Sequence, residues 1–302
     1  MDKYALSVGT APPVASFHTG AIAAPDGGTW YSVQPATIPP GGTFELAAGG
    51  TEYFLSALDF NGTLDNRIAI WAVTNSASLR TLSPNVSLSV AVIDSQVYGQ
   101  GPAAEQNDGP HPLGALLKEK LEFLDGNDDR MQQVMFANGK LWSALDTLVK
   151  TQNRPAANGI AYFVVSPQVG TAGAVSGSIV KQGYVAVNTQ HVIFPSVAVN
   201  AAGQGAIVFT LTGNDWYPSA AYVTLDAVNG AGPIHIAAAG TGPEDGFTGY
   251  GYYGGNRVSR WGDYSAAAVD EAGNIWMAAE FIPGSPRTVL ANWGTLIGRL
   301  VP

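Results

Sequence analysis

Short apolar strands joined by glycine-containing turns recur along the chain. The segments VMFANGKLWSAL, VAVNAAGQGAIVFTL and AAAVDEAGNIWMAAE each pass from a strand through a turn into a second strand, which carries Trp142, Val208 or Trp276. These residues lie about 66 to 68 positions apart, and a fixed period built from short strands is typical of small sheets arranged around an axis. The pattern predicts an all-β protein. The predicted architecture is a β-propeller with at least four and at most seven blades, each of four strands.

The strand groups predict one domain over residues 1–302, with blades at 43–94, 130–188, 191–240 and 257–300. Only three strands can be recognised in the sequence of the last blade, which therefore lacks a fourth. Residues 1–42 predict further strands around Tyr4–Val8, Ala15–Ala23 and Thr29–Val33. We expect the strand at Tyr4–Val8 to complete the last blade and close the ring, because an unclosed ring leaves exposed strand edges.

Residues 95–129 lack the regular succession of strands and turns. Their sequence predicts an irregular, partly helical insertion. YGQGPAAEQNDGPHP has the composition of a long loop. In LGALLKEKLEFL the leucines keep helical spacing, which favours a helix of about three turns over a strand. The segment GFTGYGYYGG, residues 246–255, is expected to be a surface loop.

Composition excludes several classes of function. Lys and Arg total 14 and form no cluster, and the net charge is −9, which argues against nucleic acid and anionic lipid as partners. Without cysteine, the chain has no disulfide, zinc-thiolate site or cysteine nucleophile. No apolar run is long enough for membrane insertion.

Sparse charge favours a secreted, extracellular protein. The N-terminal segment MDKYALSVGTAPP lacks the pattern of a leader, so we expect the leader to be absent from this chain.

Two C-terminal segments carry a family resemblance. RWGDYSAAAVDEAGNIWMAAEFIPGSPRTVLANWGTLIGRL and FPSVAVNAAGQGAIVFTLTGNDWYPSAAYV resemble a group of secreted bacterial β-propeller proteins of unassigned function, the sialidase-like propeller group. GTEYFLSALDF, NRIAIWAVTN and DDRMQQVMFANGKLWSAL look like earlier blades of that group, so the resemblance covers roughly residues 50–300. It implies a propeller fold and secretion but no activity. VDEAGNIW is only partly similar to the Asp-box turn of sialidases, which has a structural role. It keeps an Asp, a Gly and a Trp, but their spacing differs.

The densest polar and aromatic segment is Arg260-Trp261-Gly262-Asp263-Tyr264. One interpretation is a sialidase-like glycoside hydrolase or lyase that uses Arg260, Asp263 and Glu280 at the mouth of the propeller channel. The other is an Arg260–Asp263 pair that locks a blade corner beside Trp261. A single arginine-rich segment favours the second, because sialidases draw arginines from several blades.

Aromatic residues on loops are the candidate ligand-binding groups. Phe247, Tyr250, Tyr252 and Tyr253 lie on the glycine-rich loop, and Tyr98 and Trp261 border other loops. Such side chains stack on sugar rings or contact proteins, because an aromatic ring combines a flat apolar face with a polar group. The alternative is a loop folded back over its own blade.

Two oxygen-rich turns are weak calcium candidates, and no other cofactor is expected. LDGNDDR contains Asp125, Asn127, Asp128 and Asp129, and a second turn spans residues 59–65. Neither has EF-hand spacing, and hydrated turns have the same composition.

The sequence favours a secreted, non-catalytic binding or structural module that presents inter-blade loops to a glycan or an extracellular protein. Self-assembly into a homo-oligomer or a surface layer is a related hypothesis. The rival hypothesis is the glycoside hydrolase or lyase described above.

Overall fold

The expected all-β class is confirmed by the computed structural model, which describes residues 1–18, 20, 22–28, 30, 32–58, 63–81, 83–150, 155–284 and 287–302. The helices are α1 (Lys3–Ser7) and α2 (Pro112–Leu117), with single 3-10 turns at Ala47–Gly49, Ser76–Arg80 and Gly251–Tyr253. The strands are β1 (Gln34–Thr37), β2 (Glu52–Ala57), β3 (Asp65–Thr74), β4 (Ser87–Tyr98), β5 (Phe123–Leu124), β6 (Gln133–Ala137), β7 (Lys140–Val149), β8 (Ala157–Val169), β9 (Val175–Val185), β10 (Gln190–Val199), β11 (Gly205–Gly213), β12 (Trp216–Asp226), β13 (Gly230–Ala238), β14 (Val258–Ser259), β15 (Ala266–Val269), β16 (Ile275–Phe281) and β17 (Gly294–Leu300).

Four antiparallel meanders make up most of the molecule. Sheet 1 contains β1–β4, sheet 2 β6–β9, sheet 3 β10–β13 and sheet 4 β15–β17. Strand β1 also pairs in parallel with β6, so sheets 1 and 2 form one eight-stranded array. The outer strands of this array meet again, because Ser89 Oγ donates to the carbonyl of Gly173 at 3.0 Å and Tyr184 Oη donates to that of Val97 at 2.5 Å. The eight-stranded array is therefore nearly closed.

Three apolar layers separate consecutive sheets. Leu55 and Phe163 belong to the layer between sheets 1 and 2, Ile160 and Phe209 to the layer between sheets 2 and 3, and Met277 to the layer between sheets 3 and 4. Sheet 3 is covered on both faces, and all residues of β10 and β11 are buried. Their nearly continuous apolar sequence follows from this two-sided burial.

The recurring glycine turns lie side by side. Gly203 and Gly273 adopt positive φ angles of 85° and 81°, which glycine tolerates without steric cost. The Asn200 amide donates to the carbonyl of Gly273 at 3.2 Å, and the Asn138 amide donates to that of Ala202 at 3.4 Å. The turns of sheets 2, 3 and 4 are thus linked at one end of the molecule.

The N-terminal residues correct the predicted ring closure. Residues 3–7 form α1 rather than a strand, and the described residues of 8–33 contain no strand. Met1 and Tyr4 line a cavity with Phe54 of β2 and Val73 of β3. The chain start therefore lies against the outer face of sheet 1 and does not add a strand to sheet 4.

The insertion after sheet 1 packs on the loop that precedes sheet 4. Strand β4 continues to Tyr98, three residues beyond the predicted start of the insertion at 95. Helix α2 ends earlier than predicted, because Lys118 adopts a left-handed conformation with φ 61°. Strand β5 then pairs in parallel with β14. Together these segments cover an apolar cluster that includes Phe194 and Trp261.

Candidate functional site

Four aromatic side chains converge on the loop after sheet 3. We define Phe247, Tyr252, Tyr253 and Trp293 as the aromatic patch. The ring centroids of Phe247 lie 5.8 Å from Tyr253 and 6.4 Å from Trp293, and Tyr252 lies 5.0 Å from Tyr253. Tyr252 is 74% exposed, Tyr253 42% and Trp293 38%. The patch is therefore a contiguous aromatic surface open to solvent.

A carboxylate from the insertion fixes the tip of this loop. Glu119 accepts hydrogen bonds from the backbone amides of Gly251 at 2.8 Å and Tyr252 at 3.0 Å, one on each carboxylate oxygen. Both amides belong to the 3-10 turn Gly251–Tyr253, which ends at Gly254 with φ 88°. Because a charged acceptor strengthens both bonds, the turn that presents Tyr252 and Tyr253 is held in one conformation.

Asp245 holds the base of the same loop. Its fully buried carboxylate accepts hydrogen bonds from the backbone amides of Leu113 at 2.8 Å and Gly114 at 2.9 Å, in the first turn of α2. Arg287 forms an ion pair with this carboxylate. Asp245 thereby joins the insertion, the aromatic loop and the segment before β17.

Tyr250 belongs to this buried network, which corrects its predicted role in ligand binding. Its side chain is fully buried, and its hydroxyl donates to Asp245 at 2.5 Å. Burial raises the pKa of Tyr250 well above its usual value, and the bond to Asp245 adds to the rise. The ring braces the loop and has no surface to offer a ligand.

Two other predicted ligand-binding aromatics are also buried. Tyr98 is 1% exposed, and its hydroxyl donates to the carbonyl of Arg67 at 2.6 Å. Trp261 is 1% exposed and donates through Nε1 to Thr210 Oγ1 at 3.1 Å. In both residues the polar group of the side chain forms a hydrogen bond with a partner inside the protein, as is usual for buried Tyr and Trp.

Two buried glutamates lie beneath the aromatic loop. Burial raises the pKa of Glu122 to about 8, with a further contribution from the nearby charge of Glu244. Burial likewise raises the pKa of Glu244 to about 7, although bonds from Ser259 and Gly246 oppose the shift. Both side chains are therefore more easily protonated than exposed glutamates.

The three predicted catalytic residues meet around Gly262. Arg260 Nε contacts both carboxylate oxygens of Asp263 at 2.9 Å, in an exposed ion pair. Glu280 accepts a hydrogen bond from the Gly262 amide at 2.5 Å. Burial raises the pKa of Glu280 to about 7. Arg260, Asp263 and Asp125 line an open cleft of about 510 Å³, where the guanidinium is already neutralised by Asp263.

Asp125 and Asp128, two of the calcium candidates, use their oxygens within the turn. Asp125 accepts a hydrogen bond from the Asn127 amide at 2.9 Å, Asp128 forms an ion pair with Arg130, and Asp129 is fully buried. In the part of the chain that the structure describes, no group of three or more His, Cys, Asp or Glu residues is arranged to hold a metal ion. In the second candidate turn, residues 59–62 lie outside the described residues.

The sequence interpretation missed Trp293, Glu119 and Asp245. Trp293 precedes β17 and lies 40 positions after Tyr253, the nearest other member of the patch. No local pattern links it to Phe247. The only local signal is a tryptophan beside a glycine in a loop. This signal makes Trp293 a candidate contact residue but does not show which residues it contacts in the fold.

Comparisons with known proteins add little. No family model matches the sequence, and no curated protein matches it. The endo-arabinase from Bacteroides thetaiotaomicron VPI-5482 is similar with a TM-score of 0.22 and 8% identity, over 90% of this chain and 98% of that one. A chimera of ACO and RPE65 is similar with a TM-score of 0.21 and 11% identity, over 83% of this chain and 59% of that one. Such scores carry no argument about fold or activity. Among the described residues, no helix has the length and apolar character needed to cross a membrane.

Proposed function

We propose that this chain is a non-catalytic binding module that presents its aromatic patch to a glycan. The observation that carries the proposal is the convergence of Phe247, Tyr252, Tyr253 and Trp293 into one exposed cluster. Flat aromatic faces cover the apolar C–H faces of sugar rings, and tyrosine hydroxyls provide hydrogen bonds at the rim.

The braced loop makes this surface suitable for binding. Glu119 fixes the tip of the loop, and Asp245 fixes its base through Tyr250 and Arg287. A surface already held in its binding conformation loses little entropy when a ligand arrives. Weak stacking contacts can then contribute most of their free energy to affinity.

The pairing of the polar residues favours binding over catalysis. Arg260 is occupied by Asp263, and Glu280 is engaged by the Gly262 amide. A sialidase-like site would need free guanidinium groups to bind the substrate carboxylate. This internal pairing supports the structural interpretation of Arg260, Asp263 and Glu280.

We further propose that sheets 1 to 4 are blades of an open β-propeller-like array in a secreted protein. Support for the array comes from the three apolar layers between consecutive sheets. The outer face of sheet 1 is covered by N-terminal residues rather than by sheet 4, so the array is open. Low charge and the family resemblance support secretion.

A glycan array tests the binding proposal. The wild-type chain, the double variant Tyr252→Ala/Trp293→Ala and the control Tyr264→Ala are compared on the same array. Tyr264 is 66% exposed and lies outside the patch, so it matches Tyr252 in chemistry and exposure. We expect the wild type and the control to bind the same glycans and the double variant to lose them. Absence of wild-type binding, or equal binding by all three, would contradict the proposal.

A further inference from the structure

A cavity of about 460 Å³ lies at one end of sheets 2 and 3. Strand β10 begins at this cavity, where Thr189 and His191 line it, and ends at the glycine turn after Val199. The cavity is therefore at the end of these sheets opposite to the glycine turns. The insertion contributes Pro102 and Phe123 to its wall. The volume is typical of sites that hold a small molecule, and the described lining residues include no member of the aromatic patch.

His191 lines this cavity and uses only one ring nitrogen within the protein. The residue is 4% exposed, and its Nδ1 accepts a hydrogen bond from the backbone amide of Asn158 at 3.1 Å. Burial lowers the pKa of His191, although the nearby charge of Glu105 opposes the shift, so the ring is neutral and carries its proton on Nε2. Among the described residues, Nε2 has no hydrogen-bond partner. It is therefore a buried donor that is available to a molecule in the cavity.

Two carboxylates of the cavity wall are held in place by neighbouring amides. Glu105 Oε2 accepts a hydrogen bond from the side-chain amide of Asn214 at 2.9 Å, and Asp215 Oδ2 accepts one from that of Gln190 at 2.7 Å. Both acidic residues are exposed, so they lie towards the solvent side of the cavity, whereas His191 lies at its buried side. The wall thus offers fixed acceptors at the mouth and one donor inside.

We propose that this cavity binds one ring of a neutral sugar, such as a hexopyranose. A hydroxyl group can accept the hydrogen bond of His191 Nε2–H and donate to a carboxylate at the same time. An ammonium group cannot accept a bond from His191, and an anion would be repelled by Glu105 and Asp215. A ligand rich in hydroxyl groups therefore matches these donors and acceptors better than a charged one.

Phe123 gives the cavity an apolar surface beside these polar groups. Its ring is 38% exposed, and the guanidinium of Arg257 lies 5.9 Å from the ring centroid, which helps to hold the ring in place. The C–H groups of a sugar ring pack on such a surface while its hydroxyl groups form hydrogen bonds. The described residues of this site and of the aromatic patch do not overlap, so the site is independent of the function proposed for the patch.

The cavity should bind a free monosaccharide weakly. A single ring makes few contacts, so we expect a dissociation constant of about 1 mM or higher. Binding this weak is lost when a glycan array is washed, so the array reports on the patch alone. Magnetic resonance of the protein in solution detects such binding.

Imidazole ¹⁵N resonances test the proposal, because the chain has 4 histidines and His191 is the one that lines the described cavity wall. Glucose, galactose, mannose and, as a cationic probe, methylammonium are titrated separately into the labelled full chain at neutral pH. We expect the free ring to carry its proton on Nε2 and at least one hexose to shift this signal saturably, while the His235 signal stays unchanged. A ring protonated on Nδ1, or a His191 signal that no hexose shifts, would overturn the proposal.

The variant His191→Asn removes the proposed donor. The asparagine carbonyl group can take the place of Nδ1 and accept from the amide of Asn158, but no N–H remains in the place of Nε2. We expect the dissociation constant for the hexose to rise about tenfold, which corresponds to the loss of one hydrogen bond. His235→Asn is the matched control, because His235 is an exposed histidine of β13 that does not line the cavity. Equal affinities of these two variants would overturn the proposal.

Affinity in all variants is measured from the backbone amide signal of Asp215, which each variant retains. Glu105→Gln is a second variant, at an exposed position where a substitution has little effect on folding. It replaces a charged acceptor by a neutral one, so we expect binding to weaken about fivefold, and Glu271→Gln is its exposed control. Equal hexose affinities of these two variants would overturn the proposal even where His191→Asn is unstable.

The double variant Tyr252→Ala/Trp293→Ala separates this site from the aromatic patch. We expect it to lose array binding and to keep the hexose affinity of the wild type in solution. We expect His191→Asn to show the reverse, so the two proposals fail separately. A hexose affinity that falls in the double variant would place the sugar at the patch and overturn the cavity site.

Discussion

The hydroxyl group of Tyr250 donates a hydrogen bond to Oδ1 of Asp245 over 2.5 Å, at a point where both side chains are fully buried. The same carboxylate binds Arg287 and two amides of α2. Three segments that are distant in sequence are joined through this one group. The exposed Tyr252 and Tyr253 are therefore presented by a buried polar network rather than by a free loop.

Removing the Tyr250 hydroxyl should destabilise the protein. Tyr250→Phe leaves Asp245 without one buried donor, so we expect the free energy of unfolding to fall by about 1–3 kcal/mol. Tyr252→Phe removes an exposed hydroxyl and should change it by less than about 0.5 kcal/mol. Urea unfolding of both variants measures the difference, and equal losses would contradict the role given to Tyr250.

The buried glutamates should make stability depend on pH. The pKa of Glu122 is raised to about 8 in the folded chain, so the folded state retains a proton that the unfolded state releases near pH 4.5. This contribution to stability is fully present below pH 4.5 and is lost as the pH rises through about 8. Glu122→Gln keeps the side chain neutral, so we expect it to have a higher Tm than the wild type at pH 8.

Thermal unfolding between pH 5 and pH 9 measures this effect, with Glu271→Gln as an exposed control. The Glu122→Gln curve should be flatter than the wild-type curve, and the control curve should follow the wild type. A wild-type Tm that rises steadily across this range would show that Glu122 is not held in its protonated form.

Trp142 and Trp276, which both follow glycine turns, should differ sharply in their effect on stability when each is replaced by alanine. Trp142→Ala opens a cavity between sheets 2 and 3, so we expect a loss of about 3–5 kcal/mol in the free energy of unfolding. Trp276→Ala should cost much less, because its ring is 43% exposed. Guanidinium unfolding gives both values. A larger loss for Trp276→Ala than for Trp142→Ala would contradict the burial that separates the two rings.

Asp263→Asn should leave both folding and glycan binding nearly unchanged. Its partner Arg260 is exposed, and ion pairs between exposed groups contribute little to stability. Tm and the array profile of the variant measure the two properties. Turnover of a sialoside by the wild type that is lost in Asp263→Asn would instead support the glycoside hydrolase.

The all-β class was predictable because strand and turn signals are local. The segment around Trp142 contains the alternation of apolar and polar residues that is typical of a strand, and the glycine turn that joins two strands. These local signals predict the antiparallel pairing of β6, β7 and β8 that the structure shows. Residues 3–7 form a helix instead of the predicted strand, since their few apolar positions suit either structure.

The candidate site was only partly predictable, because burial within a loop is decided by distant residues. Tyr250 and Tyr252 are two positions apart in a uniform glycine-rich segment, yet one is fully buried and the other 74% exposed. Asp245 and Glu119 make that difference, and no spacing in the sequence connects them to the aromatic residues. Tyr98 and Trp261 border loops in the sequence and are predicted there to bind a ligand, but distant residues bury both in the interior.

Nuclear magnetic resonance of the indole N–H groups tests the central claim most directly. An oligosaccharide identified on the array is titrated into the ¹⁵N-labelled protein, and the signals of its 7 tryptophans are followed. We expect the Trp293 signal to shift with saturation while the buried Trp142 and the distant Trp276 stay unchanged. Saturable binding that leaves Trp293 unmoved and shifts another tryptophan would contradict the assignment of the aromatic patch as the glycan-binding surface.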